Sequence, residues 1–207
     1  MLLLVPIAYI LGTFPSAILI ARANGIDIST FGSGNPGATN VKRVLGKGPG
    51  NLVFALDALK GFVGAGLPTL VGYVIATQGI DFVILGDAFI HGVAGFVGTL
   101  LGHCFSCFLK FKGGKGVAST IGGLLVLLPI PILIGAAIWG LVFTLSRYVS
   151  LASIALGVSL PLSCFFLKHG QSQFWFAAAI AAFNVWTHRS NIGRLLAGTE
   201  SRFAKKA

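Results

Sequence analysis

Long apolar runs dominate this chain, and they leave it few folds to choose from. The stretches 2–21, 51–76, 80–101, 151–167 and 174–186 carry almost no charge, and another apolar stretch fills 118–146. A run of about twenty apolar residues is what an α-helix needs to cross a bilayer. Within lipid, the backbone must satisfy its own N–H and C=O groups, which a helix does inside a single segment. Charged residues make up 10% of the chain, against about 25% in a soluble domain. The expectation is an all-α membrane protein, one transmembrane domain over 1–207 built as a compact bundle.

The start of the chain resembles a secretory signal, because Ala21-Arg22-Ala23 has the small-x-small form of a cleavage site. It lacks a basic leading region, and its apolar run is long enough to span, so it reads as a first helix. The stretch 118–146 is one span, giving six in all, or two spans divided at Pro129-Ile130-Pro131, giving seven. Basic residues decide between these counts. With seven spans and the N-terminus outside, Arg22, Lys42, Arg43, Lys47, Lys110, Lys112, Lys115, Arg147, Arg189, Arg194, Arg202, Lys205 and Lys206 all fall inside, and Lys168 alone falls outside. With six, Arg147 and the basic tail would be stranded outside, against the positive-inside rule. The prolines also suit a tight turn between antiparallel helices.

Seven spans leave short outer loops at 77–79, at the proline pair and at 168–173, with Asp81 and Asp87 toward the outside. Nearly everything polar is then cytoplasmic: 22–50, 102–117, the 147–150 turn and the 187–207 tail. The formal charge of +10 would suggest nucleic acid in a soluble protein. Here sidedness explains part of it, and anionic lipid or an anionic substrate accounts for more. No nucleic-acid partner is expected.

Two inner loops have the chemistry of a phosphate cradle. In Ser33-Gly34-Asn35-Pro36-Gly37-Ala38-Thr39-Asn40-Val41-Lys42-Arg43, the side chains of Ser33, Asn35, Thr39 and Asn40 offer donors, Gly34 and Gly37 free the backbone, and Lys42 and Arg43 bring charge. The same composition also makes an ordinary turn-rich loop. In Lys110-Phe111-Lys112-Gly113-Gly114-Lys115-Gly116, glycines surround Lys115 where a helix begins, and helix N-termini attract anions. No Ser or Thr follows that lysine, so it is not a nucleotide-binding P-loop. The other reading is a basic interfacial hinge. The candidate phosphate contacts are Gly34, Asn35, Thr39, Lys112, Gly113, Gly114 and Gly116.

Further candidates lie elsewhere. His188, Asn191 and Arg194 are three apart and share a face if helical. Asp57 and Lys60 sit three apart inside the second span, where charge is costly unless paired. They read as a structural pair, with Lys60 also a possible substrate contact. Ser150 and Arg147 could add a hydroxyl and a cation. Gly98 and Gly102 form a helix-packing GxxxG. Cys104-x-x-Cys107 beside His103 lacks the second ligand pair that a metal site needs, so neither metal nor cofactor is expected.

SGNPGATN at 33–40 with Arg43, FKGGKGVA at 111–118, and His188 with NIGRLLAGTE at 191–200 resemble the three signature segments of the bacterial acyl-phosphate:glycerol-3-phosphate acyltransferases. The resemblance runs in order through nearly the whole chain, including Asp57-Ala58-Leu59-Lys60-Gly61. It implies a seven-helix inner-membrane enzyme with a cytoplasmic active site. Such an enzyme moves a fatty acyl group from acyl phosphate, not acyl-CoA, to the 1-hydroxyl of glycerol 3-phosphate, giving lysophosphatidic acid. By resemblance the site residues are Ser33, Arg43, Lys115, His188 and Asn191, with Asn35 and the 113–116 loop as phosphate contacts.

The residue chemistry agrees with that implication. Acyl phosphate is a reactive anhydride that needs mainly positioning and charge stabilisation. No Cys or Ser has an evident activating base, which argues against an acyl-enzyme. The hydroxyl proton goes either to His188 or to an oxygen of the acyl phosphate, with His188 orienting it. Two other readings compete. A transporter of a phosphorylated metabolite would place its site near the midplane on broken helices and repeats, whereas these polar residues gather at one edge. A head-group phosphotransferase would need a metal-binding Asp cluster, whereas Asp27, Asp57, Asp81 and Asp87 are scattered.

Overall fold

The computed structural model describes residues 3–77 and 88–203. Residues 78 and 79 of the expected outer loop, the start of the span expected at 80–101, Asp81, Asp87, Lys205 and Lys206 lie outside these. Among the described residues the chain is all-helical, with no strand. The helices are α1 (Leu4–Gly12), α2 (Ser16–Ala23), α3 (Ala38–Leu45), α4 (Lys47–Thr77), α5 (Ala88–Cys104), α6 (Val117–Leu127), α7 (Pro129–Ser146), α8 (Val149–Phe166), α9 (Gln171–Thr187) and α10 (Arg189–Leu196). A single 3-10 turn, Cys107–Leu109, precedes α6. Among the described residues, five stretches are long and apolar enough to cross a membrane: Leu4–Ala23, Lys47–Val74, Ala88–Leu109, Pro129–Ser146 and Val149–Phe166. Val117–Leu127 is apolar but shorter, and α9 has 17 residues.

Two of these elements depart from their expected form. The first span is broken at Thr13-Phe14-Pro15, between α1 and α2. Pro15 has no N–H to continue the helix and disfavours helical backbone at Phe14. The 118–146 stretch is divided as expected, but at Leu128, whose φ is −142°. Pro129 and Pro131 do not form the turn. They occupy the first turn of α7, where a missing N–H costs nothing.

The chain falls into two compact units, 1–127 and 128–207. In the first, α5 runs parallel to α1 and antiparallel to α4. Gly98 and Gly102 of α5 lie against the backbones of Val5 and Tyr9, so a Cβ at either would collide with a carbonyl oxygen. Gly61 meets the backbone of Ser119, and Gly122 meets that of Ala58, where α4 crosses α6. Such close backbone approach is how helices associate in lipid, which offers little hydrophobic drive between them. Pro68 leaves the carbonyl of Gly64 without its helical donor, and Gly95 of α5 packs against that oxygen. These directions bring the 24–46 connection and the 105–116 connection to the same end of the unit. There Ala17, Ala21, Ile28, Val41 and Val53 form a small core that pins α3 to α2 and α4.

In the second unit α7 and α8 are antiparallel, with Gly135 against Leu156 and the Trp139 indole donating to Ser153 Oγ at 3.2 Å. α9 packs on α8, where Gly157 faces Asn184. The tail folds back onto the α7–α8 turn: the N–H of Phe203 donates to the carbonyl of Arg147 at 3.1 Å. Arg202 also lies 4.8 Å above the ring of Tyr148.

Candidate functional site

In the first unit, the 24–37 segment is a series of turns. Asp27 accepts from the N–H of Ser29 at 3.1 Å and from its hydroxyl at 2.7 Å, and these bonds hold its carboxyl below the usual range. The segment is braced from α3. Asn40, 1% exposed, donates to the carbonyl of Phe31 at 2.9 Å and that of Ile28 at 3.3 Å. Its Oδ1 accepts the N–H of Ser33 at 2.9 Å. Asn40, read from the sequence as a ligand donor, is thus turned inward to shape the loop. Gly34 has a φ of +68°, the left-handed region that glycine enters without strain. Ser33 is exposed; Gly34 and Asn35, and Thr39 and Arg43 on α3, are partly exposed. Lys42 donates to Asn51 Oδ1 at 3.1 Å.

The second loop lies directly on the end of α5. The N–H of Gly113 donates to the carbonyl of Cys104 at 3.0 Å, and that of Gly114 to the carbonyl of His103 at 3.2 Å. A Cβ on Gly113 would strike the His103 carbonyl, one on Gly114 the His103 ring, and one on Gly116 the side chain of Leu100. All three glycines are therefore demanded by packing, whatever they also do for a ligand. Lys112 is exposed and Lys115 partly buried. Cys104 is buried and Cys107 exposed.

Beneath the loop, Lys60 is 5% exposed and Asp57 2%. Lys60 Nζ is 2.9 Å from Asp57 and donates to the carbonyl of Phe14, released by the α1–α2 break, at 3.0 Å. The structural pairing expected of these two residues is present. Asp57 also accepts from Ser16 Oγ at 2.7 Å. Pro36 of the first loop and Gly114 of the second line one small pocket with Asp57, Lys60, His103 and Ser106. Both cradle sequences therefore meet within this unit.

The second unit gathers its own set. Glu200, its side chain 5% exposed, accepts from Ser150 Oγ at 2.7 Å and Asn191 Nδ2 at 2.7 Å on one oxygen. On the other it accepts from Arg194 Nε at 2.7 Å. Burial opposes the charge, but the three hydrogen bonds and the guanidinium outweigh it and hold the carboxyl below its usual range. A carboxylate so stabilised is a poor base, so it braces Ser150 rather than activating it. Three candidates named from the sequence thus converge on a residue that motif reading left without a role. The available signal was scarcity: the chain has 5 acidic residues among 15 basic ones, and an acid so outnumbered has partners.

His188 is the N-cap of α10, and its carbonyl accepts the N–H of Ile192 at 2.9 Å. It is the junction between α9 and α10, 3% exposed. Its Nδ1 lies 2.9 Å from the carbonyl of Asn184. A carbonyl only accepts, so Nδ1 carries a proton, and in the neutral ring Nε2 holds the lone pair.

The glycerol-3-phosphate acyltransferase family model matches residues 2–198. The glycerol-3-phosphate acyltransferase of Endomicrobium trichonymphae is 42% identical over 209 residues, covering 99% of this chain and 98% of that protein. That of Aquifex aeolicus is 42% identical over 202 residues, covering 98% of each. Among solved structures, PlsY (YgiH), an integral membrane glycerol 3-phosphate acyltransferase, in its glycerol 3-phosphate form is similar with a TM-score of 0.83 and 39% identity, covering 98% of this chain and 95% of that one. Its lysophosphatidic acid form gives a TM-score of 0.81 with the same identity and coverage.

Proposed function

The chain belongs to the glycerol-3-phosphate acyltransferase family, and from that premise we propose that it acylates the 1-hydroxyl of sn-glycerol 3-phosphate with acyl phosphate as donor. The products are lysophosphatidic acid and inorganic phosphate. The observation that supports this most directly is that PlsY, alike over nearly the whole chain, has been solved in glycerol 3-phosphate and lysophosphatidic acid forms, the acceptor and product of one acylation. The donor is argued from chemistry. The residue set provides cations and amides for two phosphates and no activated acyl-enzyme nucleophile.

The transfer is direct. The hydroxyl oxygen attacks the acyl carbon, the bond from that carbon to the phosphate oxygen breaks, and phosphate leaves with the electron pair. Ser33, Arg43, Lys115 and Asn191 hold phosphate groups, with Gly34, Asn35, Thr39, Lys112 and the 113–116 loop as further contacts. The N–H groups of Gly113 and Gly114 are taken by the Cys104 and His103 carbonyls, so Lys115 rather than these amides stabilises charge on the carbonyl oxygen. The hydroxyl proton passes to Nε2 of His188, a role supported by the tautomer that the Asn184 carbonyl imposes. Residues 1–207 act as a single acyltransferase domain, multi-pass in a bacterial inner membrane, with the N-terminus outside and the basic loops and C-terminus cytoplasmic.

The test is incubation of detergent-purified protein with palmitoyl phosphate and glycerol 3-phosphate, with palmitoyl-CoA in parallel. Lysophosphatidic acid forms from the phosphate donor alone. Detergent leaves no compartments, so a transporter gives no product. Product from the CoA ester instead would overturn the donor assignment.

A further inference from the structure

One buried polar cluster has no part in that chemistry. Asp57 is approached by Ser16 Oγ at 2.7 Å, Lys60 Nζ at 2.9 Å and His103 Nδ1 at 3.6 Å, the last too long for a good hydrogen bond but close enough for electrostatic contact. The side chains of Asp57, Lys60 and His103 are 2%, 5% and 8% exposed. The cluster joins α2, α4 and α5, and through the carbonyl of Phe14 it reaches the α1–α2 break. Ionic groups buried in a membrane span are expensive, and for stability alone a packed apolar set serves as well. The cost therefore points to a task.

The geometry indicates what that task is. On its far side from Asp57, the His103 ring stands against Gly114, where an added Cβ would meet Nε2. The carbonyl of His103 takes the N–H of Gly114, and that of Cys104 takes the N–H of Gly113. His103 is thus a backstop under the glycine loop, approached from behind by Asp57, which Lys60 in turn holds. We propose that Asp57, Lys60 and His103 are positioning residues that fix the 113–116 loop and so set how tightly it holds a substrate phosphate. The inference rests on the phosphate-binding role proposed above for that loop. A loop fixed beforehand loses less freedom when the ligand arrives, so the benefit falls on binding.

The experiment is steady-state kinetics of His103→Gln and Asp57→Asn beside the wild type, varying each phosphorylated substrate. The expected result is a KM raised about tenfold for at least one substrate, with kcat within about twofold. A merely structural role removes active enzyme, lowering kcat and leaving KM alone, and that result overturns the proposal. If Asp57→Asn does not accumulate, His103→Gln decides alone. A second arm combines Gly114→Ala with His103→Ala. Removing the ring that the new methyl would strike makes the pair less than additive in KM, and strict additivity also overturns the proposal. A wild type that forms no product from these substrates refutes the functional reading instead, and the two failures are told apart.

Discussion

At the scale of single residues, the inward-turned groups are as informative as those facing a ligand. Glu200 collects Ser150, Asn191 and Arg194, so its loss would leave three donors without their acceptor. Glu200→Gln is expected to cost about 2 kcal/mol at neutral pH, the value of a hydrogen-bonded buried charge, read as a lowered melting temperature in detergent. The pH dependence has a definite sign. The folded carboxyl titrates below its ordinary 4.5, to which it returns on unfolding. Its contribution is therefore complete above about pH 4.5 and is lost as pH falls through the lower folded value. Melts of wild type and Glu200→Gln should converge between neutral and acid pH; a constant gap would contradict the assignment. His188 makes a different claim, on rate. As general base its replacement in His188→Gln should lower kcat by about a hundredfold or more. Near-normal turnover would transfer the proton to the acyl phosphate's own oxygen.

At the scale of elements, the glycines divide into those that meet another backbone and those that do not. A methyl at Gly122 would collide with the carbonyl of Ala58 across the α4–α6 crossing, where neither helix can yield locally. Gly140 in α7 has nothing within 4 Å of its would-be Cβ. Gly122→Ala should destabilise by about 1–3 kcal/mol through overpacking, whereas Gly140→Ala should be neutral or slightly stabilising through helix propensity. Thermal melts of the two variants check the contrast. This contrast also marks what the sequence could disclose. Spans were legible because hydropathy over about twenty residues is a property of composition and needs no partner. The packing role of Gly98 and Gly102 was legible because their spacing puts both on one face. The α1–α2 break was signalled by Pro15, but hydropathy runs straight through it. The inward turn of Asn40 depends on left-handed backbone at Gly32 and Gly34, and motif composition does not encode such a direction. That His188 caps both α9 and α10 is beyond the reach of spacing, which counts residues and does not detect that α9 ends there.

At the scale of the whole molecule, the proposed orientation follows from charge, since the basic residues of the loops collect on one side if spans alternate. The chain supplies its own reporter. Cys107 is exposed in the 105–116 connection, whereas Cys104 and Cys164 are buried. A membrane-impermeant maleimide should therefore label wild-type protein at Cys107 in inside-out vesicles and leave it unlabelled in right-side-out vesicles. A cysteine introduced at Gly170, between α8 and α9, should show the opposite pattern in a Cys107→Ser background. If Cys107 labelled only from the outside, Lys110, Lys112 and Lys115 would face away from the cytoplasm. The charge argument would then fail for the very loop proposed to hold phosphate. Labelling of Cys107 from the inside, with Gly170→Cys reached from the outside, would put the glycine loop and its three lysines on the cytoplasmic side, as the charge argument requires.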